Sequence, residues 1–287
     1  MSVTAASWYE RLREDLRLHD YRATTQASYL QAVRSFIEHA GREPADLMEE
    51  DVRAYALHLR DVKGVSASTT KIAFCALRFF FEHTVPREWT VFDLVRAHRP
   101  RTLPVVLSRG EVRKLLGSVR DPVRRVALTT IYALGLRLHE GLALEAGDID
   151  GARLTVWVRD GKGGKQRGVP LPRPLLAKLR EYWKSDRPPA TSRHLFPSRS
   201  GAGPMHDSTL QKTFTAVLRE SNVEKKATIH TLRHSYATHL LEAGISLRTI
   251  QDVLGHASLR TTSVYMHVTE PAVEQLQKTL DLLMLAL

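Results

Sequence analysis

A chain of 287 residues, 43% of them hydrophobic, exceeds the usual size of one domain and can bury a core in each of two. Its 42 Lys and Arg against 31 Asp and Glu leave a formal charge of +11, an attractive field for polyanions, of which nucleic acid is the commonest that a basic protein meets. One cysteine, Cys75, excludes an intrachain disulfide framework, and no segment has the layout of a signal peptide or the length to cross a bilayer, so a cytoplasmic protein without a membrane partner is expected.

From the start to about Trp89, apolar residues recur at helical spacing in TQASYLQAVRSFIEHA and STTKIAFCALRFFFEHT, with Gly, Pro or acidic turns between them. This predicts a small all-helical bundle. Cys75 lies in the apolar stretch IAFCALRFFF, and a buried thiol is expected there. Arg22, Lys71 and Arg78 fit a DNA-facing surface and a solvated helix face equally well. The segment Val95 to Leu103, VRAHRPRTL, is basic and weakly periodic, and Pro100 and Pro104 interrupt any helix. It reads as an interdomain linker able to lie along phosphates. The expected organisation is a helical domain at 1–95, a basic linker at 96–107 and a second domain at 108–287.

In the second domain, Ser108 is a candidate N-cap for a helix through Val119, and a longer helix runs from about Pro122 to Ala133 and ends at Gly135. A helix carries LHEGLALEA. Next, LTVWVRD and GVPLP are β-like runs joined by GKGGKQR, a hairpin with a glycine-rich tip. Helical patterns follow in PLLAKLREYW, STLQKTFTAVLRE, TLRHSYATHLLEA and SLRTIQDVLGH, with a last pair around Tyr265 and from Pro271 to Leu287. The fold class is mainly α, with a small antiparallel β-sheet or hairpin in the second domain.

Three carboxyl-terminal signals carry chemistry: HTLRH from His230, LGH ending at His256, and TTSVYMHV around Tyr265. His230 and Arg233 are three apart, so at a helix start they project to one side, and helix starts attract phosphate. His256 follows Gly255, a candidate C-cap, which places an imidazole where the chain turns. Tyr265 comes nine residues later, among hydroxyl and small residues. A tyrosine oxygen is a usable nucleophile when cations flank it. His230 and His234 have the spacing of a zinc pair, but the glutamate of a hydrolytic zinc helix is missing between them. His194, His206, His239 and His267 have no motif around them and read as surface or packing residues.

HTLRHSYATHLLEAG followed by LGHASLRTTSVYMHV resembles the tyrosine recombinase (phage integrase) family, in a form similar to its Xer-like or integron-like members. The family motif is His-x-x-Arg, Leu-Gly-His and Tyr. On that resemblance the first family arginine is Arg137, in Gly135-Leu136-Arg137, with its acid at Glu140, and the family lysine is Lys162, in Gly161-Lys162-Gly163. One departure is local: Leu138 and His139 stand where many members place a small hydroxyl residue. The resemblance covers residues 101 to 287 and, more loosely, the helical front. It implies a two-domain DNA clamp made of a SAM-like core-binding domain and a catalytic domain.

The activity implied is site-specific recombination with no cofactor and no metal. Tyr265 would attack phosphorus, leaving a 3′-phosphotyrosine and a free 5′-hydroxyl. Arg137 and Arg233 suit the phosphate, since each can give bidentate hydrogen bonds and keeps its charge. Lys162 is the expected general acid, with Lys165 as its competitor. His230 and His256 would donate to phosphate oxygens or shuttle the tyrosine proton. Glu140 either orients Arg137 or a histidine, or is an exposed helix carboxylate. The implied partners are double-stranded DNA bearing a specific site and, at the synapse, a homo-tetramer exchanging strands through a Holliday junction; free in solution the chain would be a monomer. The apolar stretch LQKTLDLLMLAL would dock on a neighbour or pack on its own domain. Two other readings are a type IB topoisomerase, disfavoured by the short front domain, and a non-catalytic DNA-binding regulator, disfavoured by the filled catalytic set.

Overall fold

Helical periodicity in the front of the chain becomes a bundle because each amphipathic stripe finds another to cover it. The computed structural model describes residues 5–94, 104–159 and 166–255, and the chain divides into two units, Met1–Arg101 and Thr102–Leu287. In the first unit, α1 (Ala5–Leu18), α2 (Ala23–Ala40), α3 (Glu49–Leu57), α4 (Ala67–Phe79) and the short α5 (Val91–Leu94) follow one another. Helix α2 stops at Gly41, whose φ of 62° is left-handed, and α4 starts where Ser66 Oγ accepts the Thr69 N–H at 3.2 Å. Leu12, Leu16, Val33, Phe36, Leu77, Phe80 and Phe81 fill the core. The helical run beyond α4 closes with a wider turn, Val85 N–H to the Phe80 carbonyl, so that Phe80 and Phe81 are both fully buried.

The expected buried thiol is corrected here: Cys75 is exposed. Its neighbours Ala73, Phe74, Ala76 and Leu77 are the buried face of α4, and at 100° per residue Cys75 falls on the opposite side.

The second unit is built around α7 (Pro122–Ala133), against which α6 (Arg109–Gly117), α8 (Leu138–Ala143), α9 (Arg173–Ser185), α10 (Asp207–Glu220) and α11 (Ile229–Glu242) all pack; α12 (Leu247–Leu254) lies on α11. Val126, Ala127, Leu128 and Ile131 put the length of α7 into the core. The starts of α6 and α7 are as the sequence predicts. Ser108 and Glu111 form a reciprocal capping box, and Asp121 caps α7 with Pro122 in its first turn.

Strands β2 (Thr155–Val158) and β3 (Arg167–Pro170) pair antiparallel, with Val158 opposite Arg167. They are the flanks of the expected hairpin. Its tip, including Lys162 and Lys165, lies outside the described residues. A third strand, β1 (Ile149–Asp150), adds to β2; at two residues it is too short to show alternation in the sequence. Of the expected linker, residues 96–103 lie outside the described residues. Its far end is bound into the second unit, with Leu107 fully buried and its N–H donating to Ser235 Oγ at 2.9 Å. Residues 256–287, which hold His256, Tyr265 and the expected last helices, also lie outside the described residues. Among the described residues no helix is long and apolar enough to cross a membrane.

Candidate active site

Close backbone approaches bring distant segments together. After α7 the chain turns at Gly135, whose φ is +60°; a Cβ there would stand 2.4 Å from Tyr236 Cδ1 and 2.9 Å from Leu254 Cδ2. Only glycine allows the end of α7 to meet α11 and α12 at that distance. Arg137 then sits at the N-cap of α8 in extended conformation, and Glu140 lies three residues on, in the first turn of that helix.

Glu140 is the centre of the arrangement. Its side chain is fully buried, so the reading of an exposed helix carboxylate is corrected. The Arg137 N–H donates to Oε2 at 2.8 Å and Arg137 Nη1 donates to Oε1 at 2.6 Å. Arg167 meets the same carboxylate with two parallel bonds, Nη1 to Oε1 at 3.1 Å and Nη2 to Oε2 at 2.8 Å. Arg233 Nη1 stands 3.5 Å from Oε2. Among the described residues, three guanidiniums around one carboxylate leave an excess of two positive charges. Burial by itself would raise the Glu140 carboxyl, but the bonds from Arg167 and Arg137 and the charge of Arg167 outweigh it and hold it down to about 2. Glu140 is therefore ionised throughout the physiological range.

Arg233 is the largest fully buried side chain among the described residues. From α11 it donates through Nη1 to the Gly135 carbonyl at 2.8 Å and through Nη2 to the Leu254 carbonyl at 2.6 Å. Its charge thus acts from within the interior. Arg137 is more open, its side chain 18% exposed, and it lines a cleft of about 690 Å³ together with His139, Asp207, Gln211, Thr215 and His230.

His230, in the first turn of α11, is exposed, with its ring 4.8 Å from that of His234 and perpendicular to it. Partial desolvation, then the charges of Arg233 and Arg137, push the His230 ring below its ordinary value against the opposing pull of Glu140. The shift favours the neutral ring at pH 7. For His234, burial followed by the charges of His230 and Arg233 lowers the ring to about 4.

Of the residues expected from the sequence, Arg137, Glu140 and Arg233 meet at one carboxylate, and His230 shares a cleft with Arg137. Lys162, His256 and Tyr265 lie outside the described residues. Arg167 was not anticipated. Its signal is the alternation of β3, in which Val169 is buried and Gly168 and Pro170 are exposed; that period places Arg167 on the inward face, where an arginine requires an acid. His239 is a packing residue, as expected: it is buried, and its Nδ1 is 2.9 Å from the Tyr132 hydroxyl.

The phage integrase family profile matches residues 106–271, and that of the phage integrase N-terminal SAM-like domain matches residues 8–91. The chain belongs to the phage integrase family, and it is a tyrosine-type site-specific recombinase. Among its relatives, y4qK of Sinorhizobium fredii, whose name marks it as an integrase/recombinase, is 40% identical over 90% of this chain and 83% of its own length. The tyrosine recombinase XerA of Pyrococcus furiosus is 35% identical over 77% of each chain. The crystal structure of a lambda integrase tetramer bound to a Holliday junction has the same fold, with a TM-score of 0.73 at 19% identity, covering 92% of this chain and 77% of that one.

Proposed function

We propose that this recombinase cuts and rejoins double-stranded DNA at a specific site in the cytoplasm, as a homo-tetramer, through a 3′-phosphotyrosine on Tyr265 and a Holliday junction. Residues 1–95 act as the core-binding domain and 108–287 as the catalytic domain. The observation that carries this reading is the Glu140 cluster: three arginines held on one buried carboxylate, with a two-charge excess beside an open cleft that Arg137 and His230 line.

Cleavage adds charge to the non-bridging oxygens of a phosphodiester, so fixed cations are what the transition state needs. Arg137 presents its guanidinium to the phosphate from the cleft wall, and Arg233 adds its charge from behind. The Tyr265 oxygen attacks phosphorus and loses its proton to His230, whose neutral ring is an acceptor at pH 7. The bond to the 5′ oxygen breaks, and Lys162 protonates that leaving oxygen. His256 donates to a non-bridging oxygen. Rejoining is the reverse, with the 5′-hydroxyl of another strand attacking the phosphotyrosine, so no nucleotide is consumed. The lambda integrase tetramer on a Holliday junction supports the partner and the assembly, and the charge of +11 supports binding to phosphates.

The test is selection from a pool of nicked duplexes with a randomised core, keeping molecules that stay attached to the protein in denaturant. The unaltered chain is expected to capture a defined sequence and Tyr265→Phe to capture none. No attachment from any duplex refutes the proposal, and relaxation of a single plasmid without strand exchange points to a topoisomerase.

A further inference from the structure

Arg167 joins three segments with one guanidinium. Its Nη1 and Nη2 hold both oxygens of Glu140 on α8, its Nε donates to the Val253 carbonyl on the last turn of α12 at 2.9 Å, and its own backbone begins β3. The side chain is 10% exposed. Its stem runs so close beneath the turn after α12 that a Cβ on Gly255 would lie 2.9 Å from Arg167 Cδ.

Neutralising Glu140 does not require this residue. Arg137 already pairs with Oε1 and Arg233 stands near Oε2, and a third guanidinium adds repulsion among like charges. What Arg167 adds is geometry. A planar fork that chelates a carboxylate and also donates through Nε fixes the carboxylate in orientation as well as position, which an ammonium cannot do. Arg137 holds the same carboxylate, so the place of its guanidinium follows from where Arg167 holds Glu140. In sequence, the two other segments that Arg167 joins lead directly to proposed catalytic residues: Lys162 comes five residues before Arg167, and His256 three residues after Val253.

We propose that Arg167 is a positioning residue for strand cleavage, fixing Glu140, and through it Arg137, in register with β3 and the end of α12 without itself touching DNA. This rests on the recombinase reading above. Neither Lys nor Gln at this position can make all three bonds, so both variants lose the register; Lys keeps the charge, and Gln keeps a single donor to Glu140.

The experiment uses the duplex captured by the unaltered protein and measures single-turnover attachment to Tyr265 separately from duplex affinity, at a temperature where the variant is folded. Arg167→Lys is expected to slow attachment on the order of 10- to 100-fold, as loss of an orienting partner does at other sites, while affinity stays within about threefold. Arg137→Ala is expected to cost less in the Arg167→Lys background than alone, because the two act through one carboxylate. If Arg167→Lys does not fold, Arg167→Gln is measured in its place, with the same expectation. A folded variant that attaches within about threefold of the unaltered rate, or costs that add with Arg137→Ala, overturns the inference and leaves the recombinase reading standing. Failure of the unaltered protein to attach to any duplex overturns both.

Discussion

Replacing Glu140 by Gln tests the whole arrangement, because the two side chains have the same shape and differ in charge. Four hydrogen bonds converge on the carboxylate: two from Arg137 and two from Arg167. A glutamine oxygen can keep at most two of them. The NH2 group in place of the other oxygen points donors at donors, so two charge-assisted bonds are lost, and the guanidiniums repel one another without the central anion. Removing one partner from a buried ion pair costs about 3–5 kcal/mol. The depression of the carboxyl from 4.5 to about 2 gives about 3 kcal/mol independently. Urea unfolding of the full chain, read by hydrogen exchange on peptides from α7 and α11, reports the second unit alone. The sign of the pH dependence follows from the depressed carboxyl: its contribution is complete above pH 4.5 and is lost as the pH falls through about 2. Glu140→Gln is expected to lack that acid limb. A loss below about 1 kcal/mol, in the range of an exposed pair, together with an unchanged acid limb, would refute the claim that this carboxylate holds the cluster.

Gly255→Ala and Gly244→Ala form a matched pair, since both glycines have positive φ but only Gly255 has a neighbour in the way, Arg167. Each is expected to lose about 1 kcal/mol for the left-handed backbone, with a further ~1–2 kcal/mol at Gly255 for overpacking; equal losses in chemical denaturation would show that Arg167 is not fixed there. His234, lowered to about 4, binds its proton in the unfolded chain first, so its stabilising effect is complete above pH 6.5 and is lost as the pH falls toward 4; His234→Gln is expected to flatten the melting temperature across that interval. Cys75 is expected to react with a maleimide in the folded protein, giving one adduct by intact mass, and protection until denaturant is added would contradict its placement on the outer face of α4.

What the sequence reveals of this fold is what neighbouring residues decide between them. The Ser108 and Glu111 box, Asp121 before Pro122 and the left-handed Gly255 after α12 are settled within a few residues, and the matching helix ends are legible. The flanks of the hairpin are legible for the same reason, because turn chemistry and alternation are local. Cys75 misleads because the apolar letters around it, counted along the chain, hide that they line one side of a helix. The site is legible in residue types and not in partners. Glu140 reads equally as a buried or a surface acid until Arg167 and Arg233 are known to reach it, and Arg167 looks like one more basic residue in a hairpin. Only the tertiary fold brings these side chains to one point.

Holding three guanidiniums so close requires more negative charge than one carboxylate supplies, and the fold takes the remainder from helix ends. The last carbonyls of a helix have no partner within it and carry the negative end of its dipole. Arg167 takes the Val253 carbonyl and Arg233 the Leu254 carbonyl, both from the final turn of α12, and Arg233 also takes the carbonyl of Gly135 just beyond α7. These partial charges offset the repulsion locally and fix the guanidinium planes, yet they do not cancel the net charge, so the cluster keeps the excess that the proposed cleavage would direct at a phosphate. A second carboxylate would stabilise the free protein more and would weaken the field that the proposed reaction needs. Seating cations on helix ends meets both requirements, and it explains why the glycines that permit the close approach, Gly135 and Gly255, stand beside the carbonyls the arginines use.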